Sequence, residues 1–268
     1  MKTQGYWADL SRHDFARLDA ASTIAILPIG AIEQHGPHLP VSVDTDLTDE
    51  TLRRCLPYLD PSLSILIMPT ISVGKSSEHA NHPGTISLST DTFTRVVMEC
   101  GASVARAGIR KILLCNGHGG NRAPLGNVLR DLRIEQGLIT MLCSWSSFYD
   151  ASEVVGADEY WNGIHGGDHE TSAMLACRGN RVEMSRAEDF RTTTDAWRRD
   201  YEYINISGPA QVGWVMDDLC ESGASGNAAA ATTEKGEKIL DNSARGLARF
   251  LAEFDRFEMD PLKDGEDA

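Results

Sequence analysis

Carboxylates and imidazoles are concentrated in the fourteen residues from Glu33 to Asp46, the segment EQHGPHLPVSVDTD. The segment follows an apolar run at residues 24–30 that is typical of a buried strand, and Pro37 and Pro40 exclude a helix there. We therefore expect these side chains on a rigid loop at the end of a strand. Ligands of α/β proteins gather at the carboxyl ends of strands, and Asp, Glu and His are common ligands of divalent metals. The segment predicts a metal site.

The other histidines support this prediction, because seven of the eight lie in four short motifs. The motifs are residues 33–40, 76–85, 116–121 and 165–172, and they contain His35, His38, His79, His82, His118, His165 and His169. Imidazole is the commonest metal ligand and the usual acid or base near neutral pH. Its concentration in glycine-containing turns therefore favours catalysis over packing.

The motif NGHGGN at residues 116–121 follows an apolar strand and precedes a helix, so it is a strand-to-helix turn. The simplest interpretation is a tight turn whose glycines supply positive φ. The embedded His118 favours a functional role instead, because it lies at the end of a central strand, near the expected positions of Glu33 and His35. Glycines on either side leave room for a metal or a substrate. A phosphate loop is not indicated, since no Lys-Ser/Thr pair follows.

The motif HGGDHETS at residues 165–172 places Asp168, His169 and Glu170 next to one another. About 100° separates neighbours on a helix, so these side chains cannot all face one ligand. Asp168 is either a helix N-cap or a catalytic group. Glu170 opens an apolar helical segment, where a buried carboxylate without a cation is costly, and this favours a metal ligand. We interpret His169 as a solvated neighbour and His165 as a candidate acid or base.

Composition narrows the class of protein. The 268 residues, 41% of them hydrophobic, suit one large α/β domain, which we place at residues 1–260, followed by a frayed acidic tail at 261–268. The net charge of −14 argues against nucleic acid and anionic membranes as partners. No signal peptide is apparent, and no apolar stretch approaches the roughly 20 residues of a membrane span. Six cysteines without a CxxC pair indicate reduced thiols and predict a cytoplasmic protein.

Apolar patterning predicts alternating strands and helices. The strands are expected at Ile24–Ile29, Ser64–Pro69, Lys111–Cys115 and Leu138–Ser144. The helices are expected at Asp46–Leu56, Asp91–Ala107, Arg122–Gln136, Glu170–Cys177 and Ala228–Phe257. The stretch from about 181 to 226 is expected to be irregular. Alternation of this kind predicts a mainly parallel sheet with helices on both faces.

Taken in order, the four motifs resemble those of the creatininase (creatinine amidohydrolase) family. The resemblance extends from about residue 27 to about residue 240, where ATTEKG at 231–236 is similar to the start of the family's C-terminal helix. It implies a three-layer α/β/α sandwich with a mainly parallel central sheet, and two divalent metal ions per chain, Zn, Mn or a mixture. It also implies a small-molecule substrate, hydrolysis of a cyclic amide or a related C–N bond, and a homo-oligomer, with a hexamer favoured.

Position by position, the resemblance assigns five metal ligands. Glu33 and His118 would hold one ion. His35 and Glu170 would hold the other, and Asp44 would bridge the two. Such a pair of ions turns a bridging water into hydroxide at neutral pH and polarises the scissile carbonyl. A bridging carboxylate fixes the spacing of the ions.

The leaving nitrogen needs a proton, which His165 or Asp168 would supply. The side chains expected to orient the substrate or to support the metal ligands are Gln34, Ser76, Glu78, His79 and Trp145. The chain departs from true creatininases at Gly120, where they carry a metal-binding glutamate. We expect Glu170 to supply the missing ligand instead. Their tryptophan pair is also incomplete, since Trp145 is kept and Trp161 is only a candidate for the second. Both departures argue against creatinine as the substrate.

Three functions are compatible with these motifs. The first is a metal-dependent amidohydrolase of a small cyclic amide or formamide. The second keeps the metals but opens a cyclic polyol ketone such as 3-dehydro-scyllo-inosose, or processes a peptide-derived cofactor precursor. The third is a non-catalytic protein with the inherited fold, which is disfavoured because every expected ligand type is present. Metal content separates the third function from the other two.

Overall fold

The computed structural model describes residues 1–207 and 209–260, so the predicted acidic tail at 261–268 lies outside the described residues. The strands are β1 (Gln4–Tyr6), β2 (Thr23–Ile29), β3 (Ser64–Ile67), β4 (Lys111–Asn116), β5 (Ile139–Ser144), β6 (Asp189–Phe190), β7 (Ile204–Asn205), β8 (Ala210–Gln211) and β9 (Gly226–Asn227). The helices are α1 (Arg12–Arg17), α2 (Val43–Cys55), α3 (Thr90–Arg106), α4 (Arg122–Gln136), α5 (Ser152–Val155), α6 (Ala157–Asn162), α7 (Asp168–Arg178), α8 (Thr194–Asp200), α9 (Met216–Leu219) and α10 (Thr233–Arg256).

The main sheet is parallel and has the strand order β1-β3-β2-β4-β5. All four predicted strands are present within it. β2, β3 and β4 are buried along their whole length, which explains their continuous apolar sequences. The edge strand β1 is absent from the sequence prediction, because three residues with alternating exposure are too short to show a periodic pattern.

Helices cover both faces of this sheet. α2 and α10 pack on one face, where Leu52, Leu251 and Phe254 join a core with the strands. α3 and α4 pack on the other face through residues that include Phe93 and Leu132. Burial of each such side chain contributes about 1.5–3 kcal/mol relative to exposure. The predicted three-layer α/β/α sandwich is therefore confirmed.

The carboxyl ends of β2 and β4 lie side by side at the centre of the sheet, with Ile29 opposite Asn116. From β2 the chain proceeds to β3 on one side, and it then crosses to β4 on the other. The pair is thus the point where the strand order reverses. Open α/β sheets bind ligands in the crevice at such a point, because the loops that follow the two strands diverge there.

Helix α2 begins at Val43, three residues before the predicted start at Asp46. Val43 is fully buried against α7 and α10, and this packing extends the helix through the polar residues that hid its start in the sequence. The prediction that Asp44 lies on a loop is therefore wrong, since Asp44 is on the first helical turn. Asp46 lies further along this helix, where it pairs with Arg178 at 2.9 Å and accepts a hydrogen bond from the Ser42 hydroxyl at 2.7 Å.

The second half of the chain follows the predicted outline with shifted bounds. The predicted helix at 170–177 is α7, which begins at Asp168. The closing helix α10 begins at Thr233 rather than Ala228, because residues 228–230 form a separate 3-10 turn and the side chain of Thr232 caps the helix. Short helices and two-residue strands lie between α7 and α10. Within the described residues, every helix falls short of the length or the apolar character that a membrane crossing requires.

Candidate metal centre

Five predicted ligands converge at the crevice between β2 and β4. Glu33 and His35 lie on the loop that follows β2, and His118 lies two residues after the end of β4. Asp44 and Glu170 lie on the first turns of α2 and α7, and these helices pack against each other. All except Glu170 are less than 5% exposed. The tertiary structure thus brings together residues that are separated by up to 137 positions, from 33 to 170.

The 116–121 motif is shaped by a close approach of α2. A Cβ atom on Gly117 would lie 2.4 Å from the backbone oxygen of Asp44 and 2.5 Å from the hydroxyl of Thr48. None of the three glycines in this described motif has a positive φ. The interpretation of a turn that needs positive φ is therefore wrong. Gly117 is required because it lets the helix with Asp44 pack against the end of β4.

Gly117→Ala is expected to lower the free energy of unfolding by about 1–3 kcal/mol, as overpacking does elsewhere, and to weaken metal binding. The added methyl group would push the backbone of Asp44 away from the cluster. Gly119→Ala is the matched control, because a Cβ atom there meets nothing within 4 Å. Thermal denaturation and metal titration of both variants measure the difference. Indistinguishable variants would contradict this packing argument.

The carboxylate of Asp44 lies between two imidazoles. Its Oδ1 is 3.4 Å from His35 Nε2, and its Oδ2 is 3.3 Å from His118 Nδ1. Glu33 Oε1 is 3.1 Å from His118 Nδ1. Glu170 Oε2 is 3.9 Å from His35 Nε2. Glu33 Oε1 is also 3.9 Å from His35 Nε2. Each histidine therefore faces a different oxygen of Asp44 and at least one further carboxylate, an arrangement that suits Asp44 as a bridging ligand.

This donor set fits divalent metal ions. His35 Nε2 and Asp44 Oδ2 are buried and make no hydrogen bond to any described residue. A buried polar atom without a partner costs about 1–3 kcal/mol, and a bound cation would remove that cost. Potential ligand atoms of Glu33, His35 and Asp44 lie within 4.8 Å of one another. Imidazole and carboxylate donors are typical of zinc and are also suited to manganese.

Hydrogen bonds at the outer nitrogens orient the two imidazoles. His35 Nδ1 donates to the backbone oxygen of Glu33 at 3.1 Å. His118 Nε2 donates to the backbone oxygen of Lys75 at 3.1 Å. When neutral, each ring thus presents the lone pair of its inner nitrogen to the carboxylates, as metal-binding histidines do. Lys75 is absent from the sequence candidates because its backbone acts here, and no side-chain pattern reveals that.

The carboxylates create a strongly negative environment. Burial by itself lowers the pKa of His35, but Asp44, Glu170 and Glu33 together raise it to about 9. Burial acts in the same way on His118, whose pKa is nevertheless raised by Glu33 and Asp44. Burial raises the pKa of Glu170 to about 7, although His35 opposes the change. The same field that holds protons on the inner nitrogens attracts a metal cation to them.

Glu78 occupies the space beside Gly120. A Cβ atom on Gly120 would lie 1.9 Å from Glu78 Oε1, so no side chain fits there without moving Glu78. Glu78 Oε1 lies 3.3 Å from His118 Nε2. Burial would raise the pKa of Glu78, but His118 lowers it to about 2. Glu78 thus supports a predicted metal ligand, as does Ser76, whose hydroxyl donates to Glu33.

Gln34 connects two further histidines to the cluster. Its side-chain amide donates to His79 Nδ1 at 2.9 Å, and its backbone oxygen accepts from His165 Nε2 at 2.7 Å. The neutral His165 ring therefore has an unprotonated Nδ1, which lies 3.6 Å from Glu33 Oε1. Burial lowers the pKa of His165 well below its usual value, and His35 and His79 add to the effect. His165 thus points a neutral basic nitrogen at the cluster.

Asp168 bonds to the helices rather than to the cluster. The N-cap of α7 is Gly167 and the helix begins at Asp168, so the N-cap interpretation of Asp168 is wrong. Its Oδ1 accepts from the Ser172 hydroxyl at 2.7 Å, and its Oδ2 accepts from Lys235 Nζ at 2.5 Å. Both oxygens are occupied, and the carboxylate joins the start of α7 to α10.

Trp145 and His169 pack together beside α7. Their ring centroids are 5.1 Å apart, and His169 Nε2 lies 2.6 Å from the hydroxyl of Tyr149. The interpretation of His169 as a solvated neighbour is therefore wrong. Trp145 is buried in the apolar cluster that joins α2, α7 and α10. Its role in orienting a substrate stays a prediction.

A family model described as "Creatininase: Creatinine amidohydrolase" matches residues 8–251. The chain belongs to the creatininase family. One similar member is the creatinine amidohydrolase of Pseudomonas putida, which is 30% identical over 254 residues that cover 89% of this chain and 92% of the relative. The mycofactocin precursor peptide peptidase of Mycobacterium tuberculosis is 29% identical over 254 residues that cover 90% of each. This creatininase-family chain is a hydrolase.

Solved creatininase structures share its fold. A mutant creatininase matches with a TM-score of 0.74 and 28% identity, covering 94% of this chain and 98% of its own. A putative creatinine amidohydrolase from Bacteroides fragilis gives a TM-score of 0.78 at 22% identity, covering 97% and 99%, and indicates the fold alone. Other similar creatininases are a Zn-Zn type and a Mn form.

Proposed function

We propose that this creatininase-family hydrolase cleaves a C–N bond of a small cyclic amide or formamide with two divalent ions, Zn, Mn or a mixture. The observation that carries the proposal is Asp44, whose oxygens lie 3.4 Å from His35 and 3.3 Å from His118. We assign Glu33 and His118 to one ion, His35 and Glu170 to the other, and Asp44 to both. The Zn-Zn and Mn forms of similar creatininases support this choice of metals.

Bound ions would make a hydroxide from water and polarise the substrate carbonyl. The side chains would then carry the proton released from this water to the leaving nitrogen. His165 accepts a proton on Nδ1, the nitrogen that faces Glu33, and passes it to the leaving nitrogen. Its Nε2 stays bonded to the backbone of Gln34, so the ring keeps its orientation. Asp168 is less suited to this role, because both of its oxygens already accept hydrogen bonds.

A peptide-derived cofactor precursor is the second candidate substrate. The mycobacterial peptidase matches as much of this chain as the creatinine amidohydrolase does, and at nearly the same identity. Gly120 has no room for the side chain that true creatininases carry at that position, because Glu78 fills the space. This difference argues against creatinine as the substrate and is compatible with a peptide amide. Both candidates require hydrolysis of an amide-type C–N bond, so the same side chains serve either.

Metal analysis followed by a substrate screen tests the proposal. Protein purified without chelator is expected to hold about two divalent ions per chain and to lose activity on chelation. The reloaded protein is then offered cyclic ureides, lactams, formamides, inososes and short peptides, with Asp44→Ala as the control of low activity. Hydrolysis of a cyclic amide or formamide supports the first candidate, and turnover of peptides alone selects the second. Absence of both metal uptake and turnover would reject the metal-dependent mechanism.

We also propose that the protein is a cytoplasmic homo-oligomer, with a hexamer favoured. Four aromatic side chains are 50–65% exposed, and contacts between subunits would cover such surfaces: Tyr160, Trp161, Tyr201 and Tyr203. All six cysteines are free, which suits a reducing compartment. Sedimentation of the protein as a monomer at micromolar concentration would contradict the oligomer.

A further inference from the structure

Helix α7 begins without a side-chain cap from its own N-cap residue. Its N-cap residue, Gly167, has no side chain, and the first backbone N–H groups of a helix have no partner within the helix. The position matters because α7 carries Glu170 and directly follows the turn with His165. Glu170 Oε2 also accepts from the backbone N–H of Gly166 at 2.6 Å, so the turn and the first helical turn form one unit.

Glu159, on the preceding helix α6, supplies the missing acceptor. Its Oε1 accepts from the backbone N–H of Asp168 at 2.7 Å. Its Oε2 accepts from the backbone N–H of Asn227 at 2.8 Å, on strand β9. The residue before β9, Ser225, donates its backbone N–H to the backbone oxygen of His165 at 2.7 Å. One carboxylate therefore joins the three segments that surround the His165 turn.

The surroundings of this carboxylate consist of glycines. If each glycine carried a Cβ atom, that atom would approach Glu159 Oε1 closely. The distance would be 2.0 Å from Gly163, 2.2 Å from Gly167 and 2.5 Å from Gly226. These backbone segments pack directly against the carboxylate, and a side chain at any of the three positions would displace it. Glu159 is 9% exposed. No ion pair to it is found among the described residues, and the nearby Lys235 pairs with Asp168 instead. Among the described residues, two backbone N–H groups donate to this buried carboxylate, and loss of either bond would leave an acceptor buried without a partner.

We propose that Glu159 is a positioning residue, which holds the His165 turn and the start of α7 so that His165 and Glu170 face the metal cluster. The inference rests on the proposed function, since it assigns Glu170 to a metal ion. Glu159 itself does not touch the cluster. It acts through the backbone of Asp168 and Asn227, in the way that partners behind metal ligands tune a site.

Glu159→Gln is the main test, because glutamine keeps the shape but turns an N–H group toward one of the two backbone donors. We expect one Co²⁺ ion per chain to bind about 10–100-fold more weakly, with a changed visible absorption spectrum. Gly167→Ala, whose methyl group would displace the same carboxylate, is expected to act in the same direction. It also keeps the test valid if the first variant folds poorly.

Lys235→Met is the control, because it breaks the ion pair with Asp168 at the same helix start and leaves the Glu159 contacts in place. It is expected to lower the melting temperature while the Co²⁺ affinity and spectrum stay those of the wild type. Unchanged Co²⁺ binding in both Glu159→Gln and Gly167→Ala would overturn the inference. If the wild-type protein itself binds no Co²⁺, the proposed function fails instead.

Discussion

Asp44→Ala is expected to lower kcat by roughly 10³-fold or more and to weaken binding of both metal ions. The substitution removes the carboxylate that turns one oxygen toward His35 and the other toward His118, so two cations would be left with less charge compensation. Metal titration of the variant measures the loss. In the metal-free protein, burial lowers the pKa of His35 and Asp44 is the largest influence that raises it. An NMR titration of Asp44→Ala should therefore show this pKa below the value of about 9 in the intact site.

Asp46→Ala is the matched control on the same helix. Asp46 pairs at 2.9 Å with the exposed side chain of Arg178 and accepts a hydrogen bond from the Ser42 hydroxyl at 2.7 Å, so its loss should cost about 1 kcal/mol of stability. Metal content and kcat should remain those of the wild type. The opposite pattern, in which Asp46→Ala loses metal and Asp44→Ala retains it, would show that the ligand assignment on α2 is wrong by two residues.

Glu170→Gln is expected to reduce the metal content from about two ions per chain to about one. Glu170 faces His35, whereas the other predicted site, with Glu33 and His118, makes no use of it. The amide keeps the size of the side chain and its place on α7 but offers a neutral, weaker ligand. Elemental analysis of the dialysed variant gives the stoichiometry directly.

His165→Ala is expected to keep both ions and to lower kcat by roughly 10²–10⁴, the usual contribution of a positioned acid or base. A metal-binding role for His165 is the alternative, because one of its ring nitrogens lies within 4.8 Å of ligand atoms of His35 and Glu170. Loss of an ion from His165→Ala, with full occupancy in Glu170→Gln, would reverse the two roles.

Local sequence signals predicted most of the elements that carry the site. Strands β2, β3 and β4 are buried on both faces, so their residues form short apolar runs that are visible in the sequence. Helix α4 has its predicted bounds, because its apolar face recurs at three and four residues and Gly137 ends it in a left-handed conformation. The sequence does not show the start of α2, since polar residues occupy its first turn and the packing of Val43 extends it.

Some residues support the metal ligands through a backbone atom, or through a missing side chain that lets a helix approach. Such residues give weak signals in the sequence. The carbonyl of Lys75 and the missing Cβ of Gly117 leave no mark in the spacing of side chains. Glu159 also gives no signal in the sequence, because a single glutamate on a short helix is typical of a solvated surface. The three glycines that surround it, at 163, 167 and 226, become meaningful only when the chain is folded.

The sequence by itself determined the alternation of buried strands and amphipathic helices, the family and the chemical types of the candidate ligands, because these depend on residue identity and local periodicity. Only the tertiary structure decided which oxygen of Asp44 faces which histidine, and that both oxygens of Asp168 are bound elsewhere. Such contacts join residues far apart in the chain. Their distances depend on how closely α2 and α7 pack against the ends of β2 and β4, and no local pattern specifies that packing.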